Sequence, residues 1–217
     1  MTKKLHDKNI LSVQTYNSSA KNYQDKFMEM DLYNDTFIQF CDLIKVDNAK
    51  IFEIASGPGN ITKYLRSIRP KFQIKGIDLA PNMIKLAKIN NPEVDFKRMD
   101  CRNINEIKES FDAIMCGFCM PYLTKDECSK LIQDCSNLLN TNGILYISTM
   151  EDDYEKSGLE ATSFSGKNQV YIYYHQADFI EKQLDKSGFE IVNLIRKKYP
   201  ETDGTFLTDM IFIVKKK

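Results

Sequence analysis

The stretch AKIFEIASGPGNITKYL, Ala49 to Leu65, decides the fold. Ala49 to Ala55 is a short, mostly apolar run with Ile51, Phe52 and Ile54, the length of a buried strand. Ser56-Gly57-Pro58-Gly59 is a tight turn, and from Asn60 onward Ile61, Tyr64, Leu65 and Ile68 recur at helical spacing until Pro70. Strand, glycine turn and helix in that order make the first unit of a nucleotide-binding α/β fold. The glycines let the backbone approach a ligand, and the helix aims its free N–H groups at it. An ordinary strand-to-helix turn is the competing reading. Two further residues stand out. Glu53 lies inside the apolar strand and needs a cationic or hydrogen-bonding partner there. Thr62 stands where a dinucleotide fold wants its third small residue.

An acid four positions before Gly57-x-Gly59 resembles the first motif of the class I methyltransferases that use S-adenosylmethionine. The resemblance implies that Glu53 lies near the ammonium of the cofactor's methionine part, with Ala55, Ser56, Gly57 and Gly59 around it. Phe72 to Leu79 reads as the second strand, and Asp78 at its carboxyl end lies about twenty residues past the glycine turn. A planar carboxylate there matches a ribose diol; a helix N-cap is the alternative, weakened by Ala80-Pro81. Leu79 and Met83 would face the adenine, although Met83 could equally be core. Val94 to Met99 reads as the third strand and ends in Asp100-Cys101. By the same resemblance Asp100 accepts from the adenine amino group and the Cys101 backbone meets a ring nitrogen. The alternative is a surface Asp opening a short helix at Asn103 to Lys108.

Phe111 to Phe118 is the fourth strand, running on through Cys119-Met120-Pro121-Tyr122. Similar enzymes carry Phe-Asp at its start and substrate-facing residues past its end, which implies roles for Cys116 toward the cofactor and for Phe118 and Tyr122 toward the acceptor. No Asn or Asp precedes Pro121-Tyr122, and this departs from enzymes that methylate amino groups of nucleobases and glutamine. Cys116-x-x-Cys119 invites a metal or redox reading. Cys128 and Cys135 instead align with Leu131, Ile132 and Leu138 as core thiols, leaving no second ligand pair, so no metal is expected.

Thr124-Lys125-Asp126-Glu127 has the pattern of a capping box for a helix to about Leu139, and Asn142-Gly143 turns into a fifth strand, Ile144 to Met150. This βαβαβαβαβ order implies a doubly wound parallel sheet. Glu151 to Asn168 is polar and reads as a loop closing over substrate. Val170 to Tyr174 is a strand, and His175 precedes a helix from Ala177 to Ser187 that Gly188 ends. Ile191 to Tyr199 and Leu207 to Val214, joined around Asp203-Gly204, resemble the antiparallel strands that close class I methyltransferases. The expected fold is therefore α/β: a doubly wound, mostly parallel seven-stranded sheet with a C-terminal antiparallel hairpin and N-terminal lid helices. It forms one domain over 1–217, divided into a lid (1–45), a cofactor-binding core (46–150) and a substrate loop with hairpin (151–217).

Ahead of the core, residues up to about Ser12 read as disordered or loosely attached. From Thr15, residues Tyr16, Ala20, Tyr23 and Phe27 share a helical face, which suits either a packed amphipathic helix or a half-wet lid. The pair Tyr16 and Tyr23 resembles the Y-x6-Y lid helix of small-molecule methyltransferases. A second helix presents Phe37, Phe40, Cys41 and Ile44. In the chain's 217 residues, 30 Lys and Arg balance 30 Asp and Glu, which argues against nucleic acid as an obligatory partner. The first residues lack the apolar core of a signal peptide and no run is long enough to span a bilayer, so a cytoplasmic protein with six reduced cysteines is expected, as monomer or homodimer. Lys215-Lys216-Lys217 reads as a solvated end. The resemblance implies methyl transfer from S-adenosylmethionine to O, N, S or C of a small molecule. His175 is the candidate base, Tyr122 a second catalytic candidate, and Tyr16, Tyr23, Phe118 and Glu151 the substrate contacts. A tRNA or protein methyltransferase, a nicotinamide dehydrogenase and a non-catalytic cofactor-binding module are the alternatives.

Overall fold

A computed structural model of the chain describes residues 8–166, 168–201 and 204–217. The apolar run after Ala49 forms β1 (Lys50–Ile54), buried from Ile51 onward, and the spaced apolar residues after the glycine turn form α4 (Asn60–Ile68). β2 (Gln73–Asp78), α5 (Pro81–Asn90), β3 (Asp95–Arg98), β4 (Phe111–Cys116), α6 (Lys125–Leu138) and β5 (Leu139–Met150) follow. The first five strands run parallel, in the order β3-β2-β1-β4-β5. β9 (Phe206–Lys216) pairs antiparallel with β5 and with β8 (Phe189–Pro200), completing seven strands. Successive strands leave β1 toward opposite edges, to β2 on one side and β4 on the other. This makes the carboxyl ends of β1 and β4 the point where an open α/β sheet binds ligands.

Side chains alternate between two cores. On one face Phe52, Ile114, Leu145 and Phe212 pack under α6 and α7 (Ala177–Lys186). On the other, Ile51, Ala113, Tyr146 and Ile213 pack under α3 (Asn34–Leu43), α4 and α5. The capping box forms as expected, with Glu127 N donating to Thr124 Oγ1 at 3.3 Å and Thr124 N to Glu127 Oε2 at 2.9 Å.

Several expectations are corrected. The N-terminal stripe is two helices, α1 (Lys8–Ser18) and α2 (Ala20–Phe27), separated at Ser19. The segment from Lys8 to Ser12 is helical and attached, because Ser12 Oγ and Thr15 Oγ1 bond the backbone of β7 (Gln169–Ile172). The polar stretch from Glu151 is not an open loop. Gly158–Ala161 forms β6, which pairs with β7 as a separate antiparallel hairpin. Asp100 opens a 3-10 turn at Cys101–Glu106 rather than a helix from Asn103. Lys216 is no solvated tail residue; its Nζ donates to Ser136 O at 2.7 Å and Leu139 O at 2.8 Å, closing the carboxyl end of α6. Asp203, placed by the sequence in the final turn, lies outside the described residues.

Candidate active site

The glycine turn is built around Asp78. Gly57 N donates to its Oδ2 at 2.9 Å and Ala80 N to its Oδ1 at 2.8 Å, so the β2 end clamps both the turn and the start of α5. Each carboxylate oxygen keeps a further lone pair for a ligand. Burial pushes the carboxyl up to about 6, against these backbone bonds. Gly57 has φ +53°, and a Cβ there would point at the Tyr23 ring, 3.7 Å away. Gly59, at φ +79°, has a different reason: a Cβ would lie 2.5 Å from Asn91 Nδ2, so it lets α4 close on α5.

Glu53 is buried beneath this turn. Thr62 donates its hydroxyl to Oε2, which explains why a hydroxyl residue replaces the third small one. Oε1 has no hydrogen-bond partner, and burial, partly opposed by Thr62, pushes the carboxyl up to about 8. Ser56 Oγ is likewise buried without a partner. Two orphaned polar atoms flanking a glycine turn fit a ligand that brings polar groups of its own.

Two cavities meet above the sheet. The smaller, about 110 Å³, is bounded by Gly57, Asp78, Leu79, Met83, Met99, Asp100 and Cys101, and is roofed by α1 and α2 through Ser12, Val13, Tyr16 and Tyr23. The larger, about 360 Å³, is walled by aromatic residues: Tyr16, Tyr23, Phe27, Tyr33, Phe37, Phe118, Tyr122, Phe164 and Tyr199. Ala55, Gly57, Gly117, Phe118, Tyr122, Tyr16 and Tyr23 border both. Two of these junction residues, Ala55 (φ 56°) and Phe118 (φ 52°), hold the left-handed conformation without being glycine. Such strain persists only where surrounding structure enforces it, and here it sits where the two cavities join.

The roof is tied down by rings and hydroxyls. The Tyr16 and Tyr122 hydroxyls bond each other, and their rings lie 5.2 Å apart, edge on. Phe164, at the tip between β6 and β7, lies 5.1 Å from Tyr16 and 5.2 Å from Tyr23. Burial raises both Tyr16 and Tyr122, so both phenols are neutral at ordinary pH. Asn9 Nδ2 donates to Tyr122 O at 3.1 Å, joining α1 to the β4 end.

Other candidates fall outside the cavities. His175 is fully buried elsewhere; its Nε2 lies 3.1 Å from Met120 O and 3.5 Å from Cys128 Sγ. Burial lowers its pKa, so it stands as a neutral brace for the segment after β4, and it lines neither cavity. Glu151 is held by Arg196, at 2.5 Å from Nε and 2.7 Å from Nη2, and lines neither cavity. Glu53, Gly59 and Cys116 support the site from below rather than lining it.

Asp100 lines the smaller cavity but is gripped by Arg102, with Nη2 at 2.7 Å. Burial would raise its carboxyl, and the guanidinium wins and lowers it. Cys101 shares a thiol hydrogen bond with Cys119, which with burial pushes it up; burial is the main cause for Cys128 and Cys135, with the nearby acids Glu127 and Asp134 adding to it. Among the described residues no group of three or more His, Cys, Asp and Glu could hold a metal ion, and no helix is long and apolar enough to cross a membrane.

Sequence reasoning missed Phe164, Arg102 and the pair Tyr33–Asp209. Tyr33 donates to Asp209 Oδ2 at 2.6 Å in the wall of the larger cavity. An acid within the apolar run of β9 was the available signal.

A family model described as a methyltransferase domain matches residues 51–143, from β1 to the turn within β5. A protein of Invertebrate iridescent virus 6 is 35% identical over 109 residues, covering 50% of this chain and 40% of its own. The chain spans about two fifths of the length of the curated relatives it matches at 35% and 31% identity. The demethylmenaquinone methyltransferase of Thermotoga maritima is 24% identical over 191 residues, 78% of this chain and 82% of that one. Among solved structures, magnesium protoporphyrin IX methyltransferase from Synechocystis PCC 6803, with bound S-adenosylmethionine, superposes with a TM-score of 0.72 over 100% of both chains at 16% identity.

Proposed function

We propose that the chain is a class I S-adenosylmethionine-dependent methyltransferase that transfers a methyl group to a small molecule, a reading supported by the methyltransferase-domain match and the shared fold. The observation that carries this is the pair of cavities meeting at Ala55, Gly57, Gly117, Phe118 and Tyr122. One has the polar fittings of a nucleoside site and the other is rich in aromatic side chains.

In the smaller cavity Asp78 would take the ribose hydroxyls and Asp100, with the Cys101 backbone, the adenine edge. Leu79 and Met83 supply the apolar faces, while Gly57 lets the backbone approach the ligand. Glu53 would act from beneath the turn, where its unpartnered oxygen favours an ammonium group. When bound, the cofactor supplies an activated methyl on a sulfonium, itself a good leaving group. The protein's task is to align the acceptor and exclude water. Tyr122, held by Tyr16, borders the junction and would orient the acceptor. Tyr16, Tyr23 and Phe164 would close the roof, making α1 and α2 a lid.

A small acceptor follows from the enclosure: the aromatic cavity of about 360 Å³ lies within the range of small-ligand sites. Demethylmenaquinone and magnesium protoporphyrin IX, which the names of two similar proteins carry, are both small molecules. To test this, the protein is incubated with methyl-labelled S-adenosylmethionine and a cell extract separated into small-molecule, RNA and protein fractions. Label is expected in the small-molecule fraction; label confined to RNA or protein would refute the proposal.

A further inference from the structure

The larger cavity has a chemical bias that the methyl-transfer reading does not use. Three carboxylates line it, Asp209, Glu160 and Glu201, and among the described residues no Lys, Arg or His does. Asp209 is only 2% exposed; Tyr33 donates to one of its oxygens, and no other hydrogen bond to the carboxylate is present among the described residues. Glu160 accepts from Tyr174 at 2.6 Å. The exposed Lys26 places its Nζ 5.3 Å from the Phe27 ring centre and 5.8 Å from that of Tyr199, but is not part of the cavity wall.

Three acids facing one enclosed space repel each other, and a cation placed among them relieves that repulsion. Nine ring side chains and several aliphatic ones line the rest of the wall; the rings attract an organic cation through their quadrupoles and the apolar surface receives its body. Ser56 Oγ, buried, without a partner and part of the same wall, offers a further polar contact near the junction. An anionic acceptor would meet like charge on entry and find no described cation lining the wall.

We propose that this cavity takes an organic cation, a protonated amine carried on an aromatic or apolar skeleton, with Asp209 as its buried counter-charge and Glu201 and Glu160 reinforcing it. This rests on the methyltransferase reading of the site and names its acceptor class.

The test uses the full chain saturated with S-adenosylhomocysteine and two probes of matched shape, phenethylamine and 3-phenylpropionate, each followed by calorimetry. The amine is expected to bind at least about tenfold more tightly than the acid, the scale of one desolvated cation–π or charge contact. The preference should vanish in Asp209→Asn. Glu201→Gln, at a half-buried position, should reduce it about threefold or more and serves if the Asp209 variant does not fold. Equal binding, preference for the acid, binding of neither probe, or a preference untouched in the folded variants overturns the proposal. Failure of S-adenosylhomocysteine itself to bind would instead count against the methyltransferase reading.

Discussion

Glu53 and Asp78 are acids whose charge the ligand-free fold resists, and each can be tested through that resistance. Burial raises Glu53 from an ordinary 4.5 to about 8, so the folded chain holds that proton more tightly than the unfolded chain. Its contribution to stability is therefore full below about pH 4.5 and is lost as pH rises through about 8. Glu53→Gln removes the titration but keeps a group for Thr62 to bond. Its stability relative to the parent should rise by about 1–3 kcal/mol between about pH 5 and about pH 9, read from urea unfolding. A difference independent of pH would contradict the assignment. Asp78→Asn should weaken S-adenosylhomocysteine by about 1–3 kcal/mol in calorimetry, the scale of hydrogen bonds to a charged group; unchanged affinity would remove Asp78 from the site. Both acids were legible in the sequence because each sits at a strand end beside the glycine turn. Asp209 carried the same signal, an acid in an apolar run, but its partner Tyr33 lies 176 positions away and no local pattern joins them. A lone histidine beside aromatic residues reads alike in a pocket and in a core, and the sequence could not show that His175 is buried against Met120 O at 3.1 Å and lines neither cavity.

At the scale of elements, α1, α2 and the β6–β7 hairpin form one unit. Side chains of α1 occupy the backbone of β7, with Thr15 Oγ1 donating to Gln169 O at 2.7 Å and Tyr171 N donating to Ser12 Oγ at 3.0 Å. Phe164 then closes the far side against Tyr16 and Tyr23. Ligand binding beneath this roof is expected to slow hydrogen exchange in α1, α2 and the hairpin together, more than in the remote α6. Phe164→Ala should weaken that protection by loosening the tip alone. Slow exchange in α1 and α2 with or without ligand would make them fixed core instead. The hairpin was read as a loop because Gly158–Ala161 is four residues long and pairs with a strand beyond a polar tip. The helical start at Lys8 was equally hidden, since what holds it is polar contact to β7, without an apolar stripe.

For the molecule as a whole, the strand order, the glycine turn and the antiparallel end were legible because parallel strands buried on both faces leave long apolar runs. What the runs could not carry was the enclosure: two cavities sharing the strained junction at Ala55 and Phe118, under a roof assembled from opposite ends of the chain. On the proposed function, that pair of cavities would seat S-adenosylmethionine beside an acceptor rather than an extended dinucleotide. Calorimetric titration of the full chain with S-adenosylhomocysteine and, separately, with NAD tests this most directly. S-adenosylhomocysteine should bind one site per chain at least about a hundredfold more tightly than NAD. Binding of NAD as tight as, or tighter than, that of S-adenosylhomocysteine would contradict it.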